Sequence, residues 1–406
     1  MKKASFRDDF PMMSAIVNGK PLIYLDSAAT THKPRVVIDA ISDFYSNHYG
    51  TVHRAVYSLS TEATERYDAV RTMVKDFINA PSEDNIVFTR GTTDGINLVA
   101  SSFGKAFIAA GDEIVISQIE HHSNIVPWQM VCHERGAILK VIPVDDNGEI
   151  ILEEYSKLLT DKTRIVAIAH VANSIGTIHP IKKIIDMAHD AGAKILIDGA
   201  QSVPHMSVDV EENDADFYAF SGHKVYGPTG IGVLYGKYDL LESLPPHQGG
   251  GDMVQHVTFD DTIYGPPPIK FEAGTPPIAE VIGLGAAIGY VAAIGMDVIN
   301  DIESELLEYA MDAMQQIPGL TILGPPRPRR GAIISFVVDG AHPLDIGTML
   351  DAKGIAIRTG QHCAEPSMHR FNTSSTARVS LAFYNNISDI DTFIAALRDT
   401  IAFLRW

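Results

Sequence analysis

Cysteine is nearly absent: Cys132 and Cys363 are the only two in 406 residues. That is too few for a disulfide framework in a chain of this size, and it fits a reducing compartment. Basic side chains are scarce beside acidic ones, 32 against 50, and the formal charge of -18 excludes a generic nucleic-acid surface. Any anionic ligand must be held by a local site. No uncharged apolar run reaches membrane-spanning length, and the charged opening Met1-Lys2-Lys3-Ala4-Ser5-Phe6-Arg7-Asp8 is not followed by a signal-peptide core. The expectation is a cytoplasmic protein with no membrane and no nucleic-acid partner. Internal repeats and low-complexity tracts are also missing.

What remains is an ordinary globular composition, 46% hydrophobic and 20% charged, long enough for two well-filled cores. From Ile86 to Val233, apolar runs of strand length alternate with helix-period segments, the pattern of βαβ units and a mainly parallel sheet. Helices are predicted over 95–109, 125–135, 152–159 and 181–191, and a long Ala/Gly/Ile-rich helix follows Pro277. Beyond Gly324 the pattern changes. Strands at 332–338, 354–358 and 377–382, with helices at 343–352 and 387–404, predict a smaller α+β domain. The fold class is therefore α/β with a second domain. The expected division is an N-terminal segment over 1–20 packing with the small domain, a large domain over 21–290 and a small domain over 291–406.

Five of the apolar runs lead straight into polar chemistry, which is where open α/β sheets bind ligands. They end at Thr89-Arg90-Gly91-Thr92-Thr93, Glu120-His121-His122, Asn173-Ser174, Asp198-Gly199-Ala200-Gln201 and Ser221-Gly222-His223-Lys224. A lone lysine is nearly always a surface residue. Lys224, among a hydroxyl, an imidazole and glycines, instead reads as a desolvated amine able to form a Schiff base with the aldehyde of pyridoxal phosphate. Asp198 suits the protonated ring nitrogen of that cofactor, and Gln201 its ring hydroxyl. The other reading of Asp198 is a turn or N-cap residue.

Thr92 and Thr93 open a helix whose free N–H groups can hold a phosphate, as can Ser221 and His223. His121 is placed to lie on the cofactor ring and carry a proton, against the blander reading of a satisfied turn histidine. Cys363, in Arg358-Thr359-Gly360-Gln361-His362-Cys363-Ala364, sits in a turn whose arginine and histidine favour a reactive thiolate; the alternative is a small buried hydrophobe. Arg378 can clamp a carboxylate with two parallel hydrogen bonds, or be a surface ion pair. Cys132 reads as structural, Gln248-Gly249-Gly250-Gly251-Asp252 as a mobile loop over the site, and Arg327, Arg329 and Arg330 as a solvated loop.

Together these motifs, with Phe271-Glu272-Ala273-Gly274-Thr275 and Tyr24-Leu25-Asp26-Ser27-Ala28-Ala29-Thr30, resemble the group II cysteine desulfurases. The likeness is closest to the Suf-type and selenocysteine-lyase branch. It implies pyridoxal phosphate fold type I and a homodimer in which Lys224 holds the cofactor. Thr93, Ser221 and His223 would hold phosphate, joined by Thr275 of the neighbouring subunit. Asn173 and Gln201 would contact the ring oxygen or substrate, and Arg378, with Arg358, the substrate. The implied reaction converts L-cysteine to L-alanine and leaves the sulfur on Cys363 as a persulfide, for an acceptor protein of iron-sulfur cluster assembly. A selenocysteine lyase or cysteine sulfinate lyase on the same scaffold, an aminotransferase, and a non-catalytic sulfur-transfer scaffold remain alternatives.

Overall fold

The computed structural model describes residues 6–405. Residues 1–5, at the start of the expected N-terminal segment, and Trp406 lie outside the described residues.

Seven strands form the main sheet, in the order Ile86–Thr89, Gly232–Gly236, Phe217–Ser221, Lys194–Asp198, Thr163–Ala169, Glu113–Ser117, Ile138–Ile142. All neighbours are parallel except Gly232–Gly236, which runs antiparallel to both of its neighbours. The strands are apolar at nearly every position because both faces are covered. Alternation divides them: Val87, Ile114, Ile116, Leu196 and Ala219 face one core, while Ile86, Val115, Ile195, Ile197 and Tyr218 face the other. Helices Thr92–Phe107 and Val126–Arg135 pack on the first face, and Ser58–Phe77, Ile181–Asp190 and Ile278–Ile294 on the second. Each predicted helix is present within a few residues of its expected ends.

Helix Ile278–Ile294 bends by 76° at Gly295 into Met296–Gln315, which leads to the second core. Among the described residues no single helix is long and apolar enough to cross a membrane; only this bent pair passes by composition. The second core covers a four-stranded antiparallel sheet in the order Leu320–Leu323, Ile333–Val338, Thr376–Ser380, Arg358–Gly360. Helices Pro343–Asp351 and Ile387–Leu404 pack on it. The expected strand over 354–358 is two short ones: Ile355–Ala356 pairs in parallel with Ile23–Tyr24, and Arg358–Gly360 joins the sheet.

That pairing corrects the boundary expected at residue 21, since Ile23 and Leu25 belong to the second core. Phe10 and Met13 pack with Tyr226, Ile299, Phe383 and Tyr384, so the N-terminal segment sits at the junction of both cores. Arg330 is a further correction. It is not solvated but 4% exposed, and its guanidinium donates to the carbonyls of Pro325, Ile175, Ile333 and Leu323. A guanidinium's five donors can close several open loop carbonyls at once. Sequence spacing carries no sign of that.

Candidate active site

Register brings the polar strand ends together. Thr89 and Ser221 both pair with Gly232, and Asp198 lies between Ala219 and Ala169. Gly232 is required here: a Cβ would lie 2.4 Å from the Cα of Gly91. That close approach lets the start of helix Thr92–Phe107 settle onto the sheet. The strand ends open into a cavity of about 190 Å³ that reaches the second core, and every predicted site residue except Thr275 lines it.

The Lys224 amine is pushed down to about 8 by burial, with Asp198 opposing and the two arginines reinforcing the shift. Among the described residues no acceptor holds it by a hydrogen bond, so it is free to bond covalently. Asp198 is 5% exposed, and burial raises its pKa against the pull of the Ala200 N–H and Lys224. Its Oδ1 accepts from the Ala200 N–H at 2.9 Å, so it serves the turn as well as facing the amine. The carbonyl of His223, one residue before the lysine, accepts from the N–H and Oγ1 of Thr31, from Thr30 Oγ1 and from Lys33 Nζ at 2.8 Å. Lys33 is itself pushed down to about 7 by burial. These donors fix the turn from which Lys224 projects.

Beside it lies an anion cradle. The Thr92 N–H donates to Ser221 Oγ at 2.8 Å, Thr92 Oγ1 and Ser221 Oγ are 2.7 Å apart, and Thr93 Oγ1 is 2.7 Å from Ser123 Oγ. Gly91, at φ 150°, caps the helix without a side chain; the Thr92 N–H goes to Ser221 and the Gly95 N–H to the Gly91 carbonyl, which leaves the Thr93 and Asp94 N–H groups to a ligand. His223 faces the same space and is lowered to about 4 by burial and by Lys224 and Lys33.

His121 follows strand Glu113–Ser117 by four residues, on the same sheet edge, and opens the short turn His122–Asn124. The Ser123 N–H donates to its Nδ1 at 3.1 Å, which assigns the ring proton to Nε2. Burial, then Lys224, His122 and the two arginines, lower it to about 3, so the ring is neutral at physiological pH. Behind it Glu120 is fully buried. It accepts from Ser117 Oγ, from Asn124 Nδ2 at 2.8 Å and from the Ala169 N–H at 2.9 Å, and burial raises it to about 7. It joins two neighbouring strand ends to the His121 turn.

The second core supplies the cations and the thiol. Arg358 and Arg378 are register partners on adjacent strands, an arrangement of like charges that is unfavourable unless an anion lies between or beside them. Arg378 is 1% exposed, not at the surface; it donates to the Asn173 carbonyl at 2.9 Å and to Asp26 Oδ1 at 3.1 Å, while its Nε has no partner. Asn173 donates from Nδ2 to the His362 carbonyl at 2.7 Å and leaves a buried Oδ1 without a partner. Gln201 donates to the Ala28 carbonyl at 2.6 Å, which engages one amide hydrogen and leaves the other and its Oε1.

Cys363 is exposed, with Arg358 Nη2 3.6 Å from its Sγ. His362 does not assist the thiol as expected: its Nε2 is 2.7 Å from Thr376 Oγ1, and burial lowers it to about 2. Cys132 is half-buried in its helix.

Thr275 stands apart. It is exposed and lines a second cavity with Arg90, His247 and Gln248, so the loop at 248–252 does not lie over the Lys224 cavity of its own chain. Glu272 anchors that segment through two hydrogen bonds from Arg71, at 2.8 and 2.9 Å. Sequence reasoning also passed over Asp26, Lys33, Glu120 and His122 as individual groups. Glu120 alone carried a readable signal, a carboxylate closing an apolar strand. Tested against pyridoxal phosphate, the donor set fits: an unheld amine facing a buried carboxylate, an uncapped helix start ringed by hydroxyls, and a buried amide oxygen without a partner.

Comparison with known proteins agrees. Residues 23–393 match the aminotransferase class-V family. The chain is 51% identical over 392 residues to the cysteine desulfurase of Synechococcus elongatus, covering 97% of this chain but 62% of that longer protein. It is 50% identical to the cysteine desulfurase of Enterobacter sp., covering 97% of this chain and 96% of the relative. Its fold superposes on the cysteine desulfurase CsdA of Escherichia coli with a TM-score of 0.92 at 40% identity, over 98% of both chains. The chain belongs to the aminotransferase class-V family, in its cysteine desulfurase group.

Proposed function

We propose that this protein is a pyridoxal phosphate-dependent cysteine desulfurase of group II, the Suf-like branch. It converts L-cysteine to L-alanine and collects the sulfur on Cys363. The observation that carries this reading is one cavity lined by a desolvated amine facing a buried carboxylate, two arginines in register, and an exposed thiol. Lys224 would hold the cofactor, with Asp198 at the ring nitrogen and Thr92, Thr93, Ser221 and His223 at the phosphate, and when bound it would supply an electron sink at the substrate Cα. Asn173 and Gln201 have polar atoms left for its ring oxygen.

The residues then divide the work. Arg378 and Arg358 hold the substrate carboxylate. The Lys224 amine, when free, would take the proton from the substrate Cα; its depressed pKa keeps a useful fraction neutral near pH 8. His121, neutral, lines the cavity beside Lys224 and would donate a hydrogen bond from its Nε2–H to the reacting groups. The Cys363 thiolate attacks the substrate sulfur: the S–S bond forms, the Cβ–S bond breaks, and its electron pair stays on carbon, where protonation yields alanine. Cysteine plus enzyme thiol thus becomes alanine plus enzyme persulfide, with no outside oxidant.

We read the chain as a large cofactor-binding unit and a small unit bearing the Cys363 loop. Its working form is a cytoplasmic homodimer in which Thr275 completes the neighbouring site. The exposure of Cys363 suits hand-over of sulfur to an acceptor protein of iron-sulfur cluster assembly. The test is incubation with L-cysteine, mass spectrometry of the Cys363 peptide and an alanine assay. A gain of one sulfur with alanine released supports the reading; release of a keto acid instead would assign an aminotransferase.

A further inference from the structure

Cys363 is held in a conformation its own sequence does not favour. Both His362 and Cys363 have φ of 55°, two successive non-glycine residues in the left-handed region. Such residues persist only where their surroundings determine them. Within the second core, Thr376 holds the His362 ring and the Ala364 N–H closes on the Gln361 carbonyl; further support comes from the first core. Asn173 donates to the carbonyl of His362. The remaining two contacts belong to one residue, His122: its backbone N–H donates to the Cys363 carbonyl at 2.7 Å, and its ring Nε2 accepts from the Glu365 N–H at 3.1 Å. His122 therefore grips the loop on both sides of Ala364, from a position 243 residues away in the chain.

We infer that His122 is a positioning residue for the nucleophile: its ring Nε2, as an acceptor, latches the Cys363 loop over the cavity and sets where the thiol meets substrate sulfur. This rests on the desulfurase reading above. His122 and His121 are adjacent but work differently. The Nδ1 of His121 is occupied within its own turn by Ser123, whereas His122 spends its Nε2 on the other core. The acceptor is specific to the Nε2 end of the ring, so a side chain of similar reach with an oxygen there replaces it, and an apolar ring of similar size does not. Misplacing a nucleophile by about 1 Å costs on the order of a hundredfold in rate.

The experiment compares the loaded wild type with His122→Phe and His122→Gln. In single turnover with L-cysteine, the inference expects persulfide formation on Cys363 to fall about 10- to 100-fold in His122→Phe. The visible absorbance of the bound cofactor, and its change on adding cysteine, stay as in wild type. His122→Gln restores most of the rate. Hydrogen exchange provides the independent readout. The peptide spanning 361–366 exchanges about tenfold faster in His122→Phe at the Glu365 amide, and near the wild-type rate in His122→Gln. Unchanged exchange in the phenylalanine variant overturns the latch, and so does a loss of persulfide formation accompanied by an altered cofactor spectrum. If the wild type forms no persulfide at all, the desulfurase reading fails, while the exchange data still decide the latch.

Discussion

The two walls of the cavity are built on opposite principles. On the first core, Lys224, Asp198, Ser221 and Thr92 stand at the ends of buried strands or the start of a helix, locked by local turns and by one another's hydroxyls. On the second, Cys363 is exposed, rests in a left-handed conformation, and is steadied by bonds from the far wall. The difference separates two demands. Cofactor chemistry needs groups preorganised in a desolvated place; sulfur delivery needs a thiol that solvent and a partner can reach. Joining the two by a few cross-core hydrogen bonds supplies both.

The largest effect is expected at the first wall. Lys224→Ala removes both the covalent anchor and the base, so alanine formation should fall below detection and the absorbance of the lysine-linked cofactor should be lost, even where the phosphate cradle still retains the cofactor; a variant still releasing alanine at normal rates refutes the assignment. Cys363→Ala should leave that absorbance intact and abolish sulfur capture, since nothing else in the cavity is a thiol. Arg378→Lys keeps the charge opposite Asp26 but loses the planar fork. The KM for cysteine should rise about 10- to 100-fold with less change in kcat, as measured by steady-state kinetics.

A smaller effect concerns pH. Only the neutral amine attacks an aldehyde, and the Lys224 pKa is lowered from 10.5 to about 8. The rate at which apoprotein combines with pyridoxal phosphate should therefore climb about tenfold per pH unit and level off near 8, where an ordinary lysine would keep climbing. A rate still rising steeply at pH 10 would show the amine is not desolvated.

The smallest involves Glu120. Its folded pKa is raised from 4.5 to about 7, so the folded state binds more protons than the unfolded state between those values, and stability falls as pH rises through that window. Glu120→Gln should remove that decline. It gains on the order of 1 to 3 kcal/mol above pH 7 in denaturant titrations, because its amide can still serve Ser117 and Asn124. Equal slopes in both proteins would contradict it.

Much of the first wall was legible in the chain, because strand-end chemistry follows a rule: an apolar run with a polar residue directly after it locates that residue at the sheet's carboxyl edge. Lys224, Asp198 and His121 were readable on that basis. The second wall was legible only by residue type. Nothing local to Cys363 encodes His122, and nothing near Arg378 encodes Asp26, since those contacts link residues more than two hundred positions apart. The burial of Arg330 was hidden for a different reason: three of its carbonyl partners lie within seven positions, but main-chain carbonyls carry no residue-type signal, and the fourth, Ile175, comes from the first core. Thr275 shows the opposite case, a motif readable in sequence whose single chain leaves it exposed and away from the cavity.

The central claim is that the two walls perform separable steps, proton removal by Lys224 and sulfur capture by Cys363. Incubating Cys363→Ala with L-cysteine in deuterium oxide tests it directly. Deuterium should enter at Cα of the recovered cysteine while no alanine forms. Alanine released at the wild-type rate, or no exchange at Cα in a variant that retains its bound cofactor, would contradict it.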